Sequence, residues 1–294
     1  MTVCIAAKYK KSESETGIVM VTDWQITDSQ TSFKSEGMKL ATLTSHIAIM
    51  GSGDMTYFGD LVVRVNGKLA GRKNPTVEDA ADAYWEAETD WQNEYREHHV
   101  LGKYNLNWTS YTERLAAGGF PESFFAEVNR DLKNLQMPCV ADAIIAGCNL
   151  NHAAKTKSDR IIKIENGIKD SVAREGYGVI GEGNTVALAE FGYSGYKHNW
   201  SLEKTLFLCY MAKKRSEVIA SVGEMSLVIL ISSGGIRVFK GNSKTQMDKV
   251  YKELERTRSK AEKKAYEKAG KIIEEYETIY GEKPEDTSTK SAAI

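Results

Sequence analysis

The sequence predicts a layered α+β protein in which helices lie outside two β-sheets. One indication is the order of the predicted elements: strands, helices, strands, a long helix and strands, without regular strand–helix alternation. Another is the length of 294 residues, 41% of them hydrophobic and 27% charged. A chain of this size can bury a large core without disulfides or a structural metal.

The N-terminal part is predicted to form four strands followed by a helix. Residues 2–9 and 18–22 are apolar runs separated by a polar loop, which is typical of a β-hairpin. Two shorter apolar runs follow at 38–43 and 46–50, and a glycine-containing turn comes after them. Apolar residues then recur at helical spacing over 55–69, which predicts the first helix.

Residues of about 70–138 are predicted to be a helical insertion. Helical patterns cover 76–95 and 122–135. Large aromatic side chains in this segment are expected to pack into a small core of its own. They are Trp85, Trp91, Tyr95, Tyr104, Trp108 and Tyr111.

The second half returns to strands and helices. Strands are predicted at 141–148, 160–165, 176–183, 225–232 and 235–240, and helices at about 185–191 and 201–220. Ser201 is expected to cap the longer of these two helices.

Residues 245–280 are rich in Lys and Glu and carry apolar residues three or four positions apart. This pattern predicts a long helix that either packs along the core or pairs with another subunit. We divide the chain into a main domain, 1–240, and a C-terminal helical extension, 241–294, whose end is expected to be disordered.

Composition narrows the class of function. The net charge of −1 gives no reason to expect a nucleic-acid partner, and no apolar run is long enough to span a membrane. The four cysteines are far apart, as in a cytoplasmic protein with reduced thiols, and the histidines lack metal-ligand spacing. We therefore expect no metal, no cofactor, no membrane partner and a cytoplasmic location.

The first residues suggest a nucleophile. Met1 is followed by Thr2, and Thr2 opens an apolar strand with no leader before it. Removal of Met1 would place a free amine, with a pKa of roughly 7.7–8, beside the Thr2 hydroxyl. The alternative is a chain that simply begins Met-Thr.

Three further residues supply what such a nucleophile needs. Asp23 ends the second strand and Lys39 begins the third, so a buried carboxylate–ammonium pair can form beside Thr2. Gly53 opens a helix and offers a backbone N–H for an oxyanion.

Several stretches together resemble one family. They are Thr2 with its strand, Gly17 to Thr27, Met38-Lys39-Leu40, Ile47 to Asp54, Ala143 to Gly147, Tyr177 to Asn184, the Ser201 helix with Ala212-Lys213, and Gly234 to Arg237. In this order they are similar to the proteasome β-subunit family of N-terminal nucleophile (Ntn) hydrolases, which includes the bacterial peptidases HslV and Anbu. The resemblance covers roughly residues 2–65 and 140–240.

This resemblance implies a four-layer αββα sandwich, a peptide or protein substrate and a homo-oligomer. It also implies that Thr2 attacks a peptide carbonyl with its own amine as the base. Asp23 and Lys39 would support the nucleophile, Gly53 would donate to the oxyanion, and Thr27 would bind extended substrate. Gly51, a small residue near the threonine, suggests a roomy first substrate pocket.

The sequence departs from the family at the turn Gly181-Glu182-Gly183, where the family has a serine between the glycines. Glu182 is expected to contact the Thr2 amine and to raise its pKa. The acidic residue and serine expected after the long helix have only candidate counterparts, Glu217, Ser221 and Glu224. The insertion and the C-terminal helix are also additions.

We predict that the chain is a threonine-type peptidase that forms an acyl-enzyme on Thr2. Two alternatives remain open. One is amide transfer, as in the archaeal connectases, which also resemble β-subunits. The other is an inactive scaffold or ring component that keeps the fold without catalysis.

Overall fold

The computed structural model describes residues 2–12, 15–23, 25–27, 32–34, 39–137, 141–151, 156–239 and 242–280. The chain forms two compact units, Met1–Lys240 and Gly241–Ile294. Met1 and the C-terminal end after residue 280, where disorder was expected, lie outside the described residues.

The first sheet of the larger unit is antiparallel and contains the N-terminal strand at its interior. Its strand order is β10-β1-β2-β11-β12. The strands are β1 (Cys4–Lys10), β2 (Thr16–Asp23), β10 (Tyr177–Ile180), β11 (Ser226–Ser232) and β12 (Gly235–Val238). β2 lies between β1, near the N-terminus, and β11, near the C-terminal end of the larger unit. Its last residue, Asp23, is therefore close to segments that are far apart in the sequence.

The second sheet is also antiparallel, and its strands follow chain order. They are β5 (Leu40–Thr42), β6 (Ile47–Ser52), β7 (Asp142–Asn151), β8 (Thr156–Glu165) and β9 (Ile168–Ser171). A short separate pair consists of β3 (Gln25–Thr27) and β4 (Ser32–Lys34).

Seven α-helices occur in the described part of the chain. They are α1 (Met55–Leu69), α2 (Val77–His99), α3 (Trp108–Ala116), α4 (Glu122–Asn134), α5 (Asn184–Ser194), α6 (Leu202–Ser216) and α7 (Asn242–Tyr280). Sequence signals set their starts: Asp54 accepts hydrogen bonds from two N–H groups of α1, and Thr76 with Asp79 forms a capping box for α2. Ser201 caps α6 as predicted.

The two sheets pack face to face through the apolar residues on one face of each sheet. Cys4 and Met20 of the first sheet share a buried cluster with Met50 and Ile144 of the second sheet. The other face of the second sheet is covered by α1 and α2, while α6 contacts β1 and β2 of the first sheet. The predicted mixed α+β class with two sheets and outer helices is therefore confirmed.

The insertion differs from its prediction in two respects. Between the two predicted helical segments the chain also contains a short 3-10 helix, Leu101–Tyr104, followed by α3. Its aromatic residues are divided: Tyr104, Trp108 and Tyr111 form a local cluster, but Trp91 packs against the core of the second sheet. Trp85 is exposed, so it belongs to neither core.

Glu88 of α2 is an unusual part of the core around the second sheet. It is 2% exposed, and neither carboxylate oxygen has a hydrogen-bond partner among the described residues. Burial, assisted by the charge of Asp142, raises the pKa of Glu88 to about 7. The carboxyl group is therefore substantially protonated near neutral pH, which lessens the penalty for burying it.

Candidate active site

The candidate site lies at one end of the first sheet, where β1 starts and β2 ends. The register of these strands places Cys4 opposite Thr22, which brings Thr2 and Asp23 to the same edge. The Thr2 hydroxyl donates a hydrogen bond to Oδ1 of Asp23, and both residues are fully buried. The residue predicted as nucleophile and the carboxylate predicted to support it are therefore in contact.

Lys39 reaches the same carboxylate from the second sheet, where it directly precedes β5. Its Nζ lies 3.0 Å from Oδ1 and 3.1 Å from Oδ2 of Asp23, and the lysine is 4% exposed. Two opposite charges buried together are tolerated only when their remaining hydrogen-bonding capacity is filled. The carboxylate meets this condition, since it accepts bonds from Thr2, Lys39 and a backbone N–H.

The backbone N–H belongs to Gly223, which was not predicted as a site residue. It donates to Oδ2 of Asp23 at 2.8 Å. Gly223 lies in the loop between α6 and β11. This loop is therefore a third segment of the chain, besides those that carry Thr2 and Lys39, that contacts Asp23.

The turn 181–183 encloses the backbone of Thr2. Gly183 N–H donates to the Thr2 carbonyl oxygen at 3.3 Å. Gly181 has a φ of +92°, and a Cβ at this position would lie 2.3 Å from the same oxygen. Ser52, at the end of β6, borders this point as well, with its Oγ 2.9 Å from the position of that Cβ. The turn therefore requires glycine at 181 for both conformation and space.

Glu182 and Ser221, two of the predicted supporting residues, contact each other. The Ser221 hydroxyl donates to Oε2 of Glu182 at 2.5 Å, and Glu182 is exposed. The contact joins the turn around Thr2 to the loop that carries Gly223. Glu217, another candidate, instead forms ion pairs with Lys213 and Lys214.

Gly51 and Gly53 flank Ser52 but occupy different surroundings. A Cβ on Gly51 would meet the ring of Phe58 at 2.3 Å, so its glycine identity has a packing reason independent of substrate. Gly51 N–H also donates to the Lys39 carbonyl at 3.0 Å, which positions the lysine backbone. Gly53 is exposed, with a φ of +107° that favours glycine.

Thr27, the predicted substrate-binding residue, ends β3 and pairs with Ser32 of β4. Its side chain lies outside the described residues, so its assignment stays a prediction.

Cys4 is the other potential nucleophile at this edge. Its Sγ lies 3.3 Å from the Thr22 hydroxyl and donates to the Gly51 carbonyl at 3.4 Å. Complete burial raises the pKa of the Cys4 thiol to about 12. Because the thiolate is the reactive form, this environment suppresses Cys4 at neutral pH and leaves Thr2 as the candidate nucleophile.

Lys213 is a second buried lysine close to the site. Its Nζ donates to the Gly223 carbonyl at 2.6 Å and to Oε1 of Glu217 at 2.5 Å, and its side chain has no exposed surface. Lys213 therefore binds the carbonyl oxygen of Gly223, the residue whose N–H donates to Asp23. The sequence contained a signal for it: Thr205, Cys209 and Lys213 are four residues apart and share the buried face of α6.

Burial of Lys213 predicts a pH dependence of stability. Desolvation lowers its pKa from 10.5 to about 8. Between these values the unfolded chain binds more protons, so the free energy of unfolding contributed by this residue rises with pH, by at most about 1.4 kcal/mol per unit. The stability of the wild type relative to Lys213→Met, measured by urea unfolding, should therefore rise from about pH 8 to pH 10.

The matched control is Lys214→Met, because Lys214 also contacts Glu217 but is partly exposed. We expect the difference between wild type and this control to vary much less with pH. A difference for Lys213→Met that stays constant over the same range would contradict the prediction.

No helix in the described ranges is long and apolar enough to cross a membrane. Among the same residues, no group of three or more His, Cys, Asp or Glu side chains is placed to hold a metal ion.

The sequence matches no known protein-family profile, and no curated protein is detectably similar to it.

Proposed function

We propose that the chain is an N-terminal threonine hydrolase that cleaves peptide bonds through an acyl-enzyme on Thr2, after Met1 has been removed. The observation that carries this proposal is the buried arrangement in which Asp23 accepts bonds from the Thr2 hydroxyl, Lys39 and Gly223 N–H. Such an arrangement fixes a hydroxyl beside a compensated charge pair at the start of the chain.

The reaction would proceed in two steps. The neutral amine of Thr2 takes the hydroxyl proton as Oγ1 bonds to the substrate carbonyl carbon, and Gly53 N–H donates to the oxyanion. The C–N bond then breaks, and the leaving amine takes the proton from the Thr2 ammonium. Water attacks the ester, gives its proton to the Thr2 amine, and the carboxylic acid product is released as Oγ1 regains a proton.

The charge pair has a separate role in this scheme. The ammonium of Lys39 compensates the Asp23 carboxylate, which by itself would favour the protonated form of the Thr2 amine, and so helps keep that amine in its basic form. Asp23 holds both Thr2 and Lys39 in place through hydrogen bonds.

We also propose that the fold is the four-layer αββα sandwich of Ntn hydrolases. Support comes from the packing order, in which α6 lies on the first sheet, the first sheet on the second, and α1 and α2 on the second. A homo-oligomer that acts on peptides or proteins is the expected context.

The proposal predicts labelling of Thr2 by a threonine-directed β-lactone or epoxyketone. Intact and peptide mass spectrometry should find one adduct, on the N-terminal peptide lacking Met1, and none on Thr2→Ala. A retained Met1, or equal labelling of the Thr2→Ala protein, would count against the proposal and favour an inactive scaffold.

Amide transfer is separated from hydrolysis by the fate of the acyl group. A labelled peptide substrate incubated with an added amine nucleophile should give mainly the free acid if water resolves the ester. A product dominated by the new amide would replace hydrolysis with transfer as the activity.

A further inference from the structure

Helix α7 is 39 residues long, and its side chains are described between 245 and 273. None of the side chains in that described segment is buried. The exposed fractions of Val250, Leu254 and Ile272 are 50%, 37% and 66%. Helices in proteins owe most of their stability to packing of an apolar face, so an apolar face exposed to this extent indicates a partner.

Apolar and small residues recur along one face of α7, a stripe interrupted by polar Thr257 and Lys268. In order they are Met247, Val250, Leu254, Ala261, Ala265, Ala269 and Ile272, and the sequence continues the spacing with Tyr276 and Ile279. Positions 250, 261 and 272 are eleven residues apart, a repeat of 3.67 residues per turn that keeps the stripe nearly straight. From 247 to 279 it is about 48 Å long, at 1.5 Å per residue.

The stripe is complementary to itself. Its large residues are at the two ends and its alanines in the middle, and the spacing reads the same in both directions about Lys263. In a parallel pair each residue meets its own kind. In an antiparallel pair Leu254 would meet Ile272, and Ala261 would meet Ala265. The central alanines meet alanines in either direction and let the two helices approach closely.

The borders of the stripe carry both charge signs, which argues against an anionic membrane surface as the partner, since that favours a basic border. They also suit a second copy: Glu262 can pair with Lys264 of a parallel neighbour, and Glu253 with Lys271 of an antiparallel one.

We propose that the α7 stripe is a dimerisation surface that binds α7 of a second copy of this chain. This surface is independent of the proposed catalytic function, since it is built from residues outside the unit that contains Thr2.

Cysteine cross-linking of the full-length protein tests the surface directly. Leu254→Cys and the double variant Leu254→Cys/Ile272→Cys would be oxidised mildly and analysed by peptide mass spectrometry. Within one straight helix these two positions are about 27 Å apart, so any disulfide between them joins two chains. A 254–254 link identifies a parallel pair and a 254–272 link an antiparallel pair, and either supports the proposal.

Tyr266→Cys is the matched control, because Tyr266 is 73% exposed but lies off the stripe. We expect little or no link from it. The absence of any inter-chain disulfide in the stripe variants, or equal linking by Tyr266→Cys, would overturn the proposal.

Sedimentation equilibrium gives an independent measurement. Leu254→Glu/Ile272→Glu is expected to halve the mass of the assembly, whereas Tyr266→Glu should leave it unchanged. An unchanged mass for the stripe variant, with the circular dichroism of the larger unit intact, would also overturn the dimerisation surface.

Discussion

The Asp23→Asn variant is expected to react with a Thr2-directed electrophile at least about 100-fold more slowly than the wild type. The carboxylate accepts hydrogen bonds from the Thr2 hydroxyl, from Lys39 and from Gly223 N–H. An amide of the same shape turns one of its two acceptor atoms into a donor, so one of these donors loses its partner. Groups that position a proton transfer typically contribute about 10²–10⁴ in rate.

Loss of folding must be separated from loss of chemistry in this variant. Removing one partner of a buried ion pair commonly costs about 3–5 kcal/mol, because the remaining charge stays buried. In the double variant Asp23→Asn/Lys39→Met no uncompensated charge remains, so we expect it to regain part of the stability but none of the reactivity. Asp60→Asn, on the surface of α1, is the matched single-site control.

The outcome is read from labelling rates and urea unfolding measured on the same proteins. Reactivity of a folded Asp23→Asn protein within about threefold of the wild type would remove Asp23 from the proposed mechanism.

The second large effect is expected from Gly181→Ala. Its φ of +92° is unfavourable for alanine, and the new Cβ would lie 2.3 Å from the Thr2 carbonyl oxygen, a backbone atom that cannot move aside easily. Overpacking of this kind costs about 1–3 kcal/mol beyond the penalty for positive φ. We therefore expect a lower free energy of unfolding and loss of Thr2 labelling.

Gly195→Ala isolates the backbone contribution. Gly195 also has a positive φ, +62°, but no neighbouring atom lies within 4 Å of the place that an added Cβ would occupy. Urea unfolding should show a smaller loss for Gly195→Ala, by about 1–3 kcal/mol. Equal losses for the two variants would mean that the contact with Thr2 does not constrain the turn.

The pairing of Asp23 with Lys39 could be predicted from the sequence because both residues lie at the ends of predicted strands. In a protein of two packed sheets, a carboxylate that ends one predicted strand and a lysine that starts another are expected to lie close enough to form an ion pair. The same reasoning placed Thr2 at the start of the neighbouring strand, and the register of β1 with β2 brings it to Asp23.

The contact between Gly223 and Asp23 could not be predicted in this way. It acts through a backbone N–H, which every residue except proline has, and it lies 200 residues from Asp23 in the chain. Lys213 was not predicted as a site residue, although its position on the buried face of α6 pointed to a buried charge. Contacts between distant segments depend on tertiary packing, which local patterns do not encode.

Gly51 is a residue for which the sequence suggested a functional role but the structure shows a packing role. Its small size suggested an open substrate pocket, but the space beside it is filled by Phe58 from α1. A glycine that admits a neighbouring ring and one that admits a ligand have the same sequence signature.

The way Thr2 is held has a consequence for maturation. The hydrogen bonds described for Thr2 run to its hydroxyl and to its carbonyl oxygen, and neither group changes when the bond to Met1 is cut. The nitrogen does change: as an amide it cannot act as a base, and as an amine it can. Under the proposed function, cleavage of the bond to Met1 would therefore supply the base while leaving the hydrogen bonds to Asp23 and Gly183 unchanged.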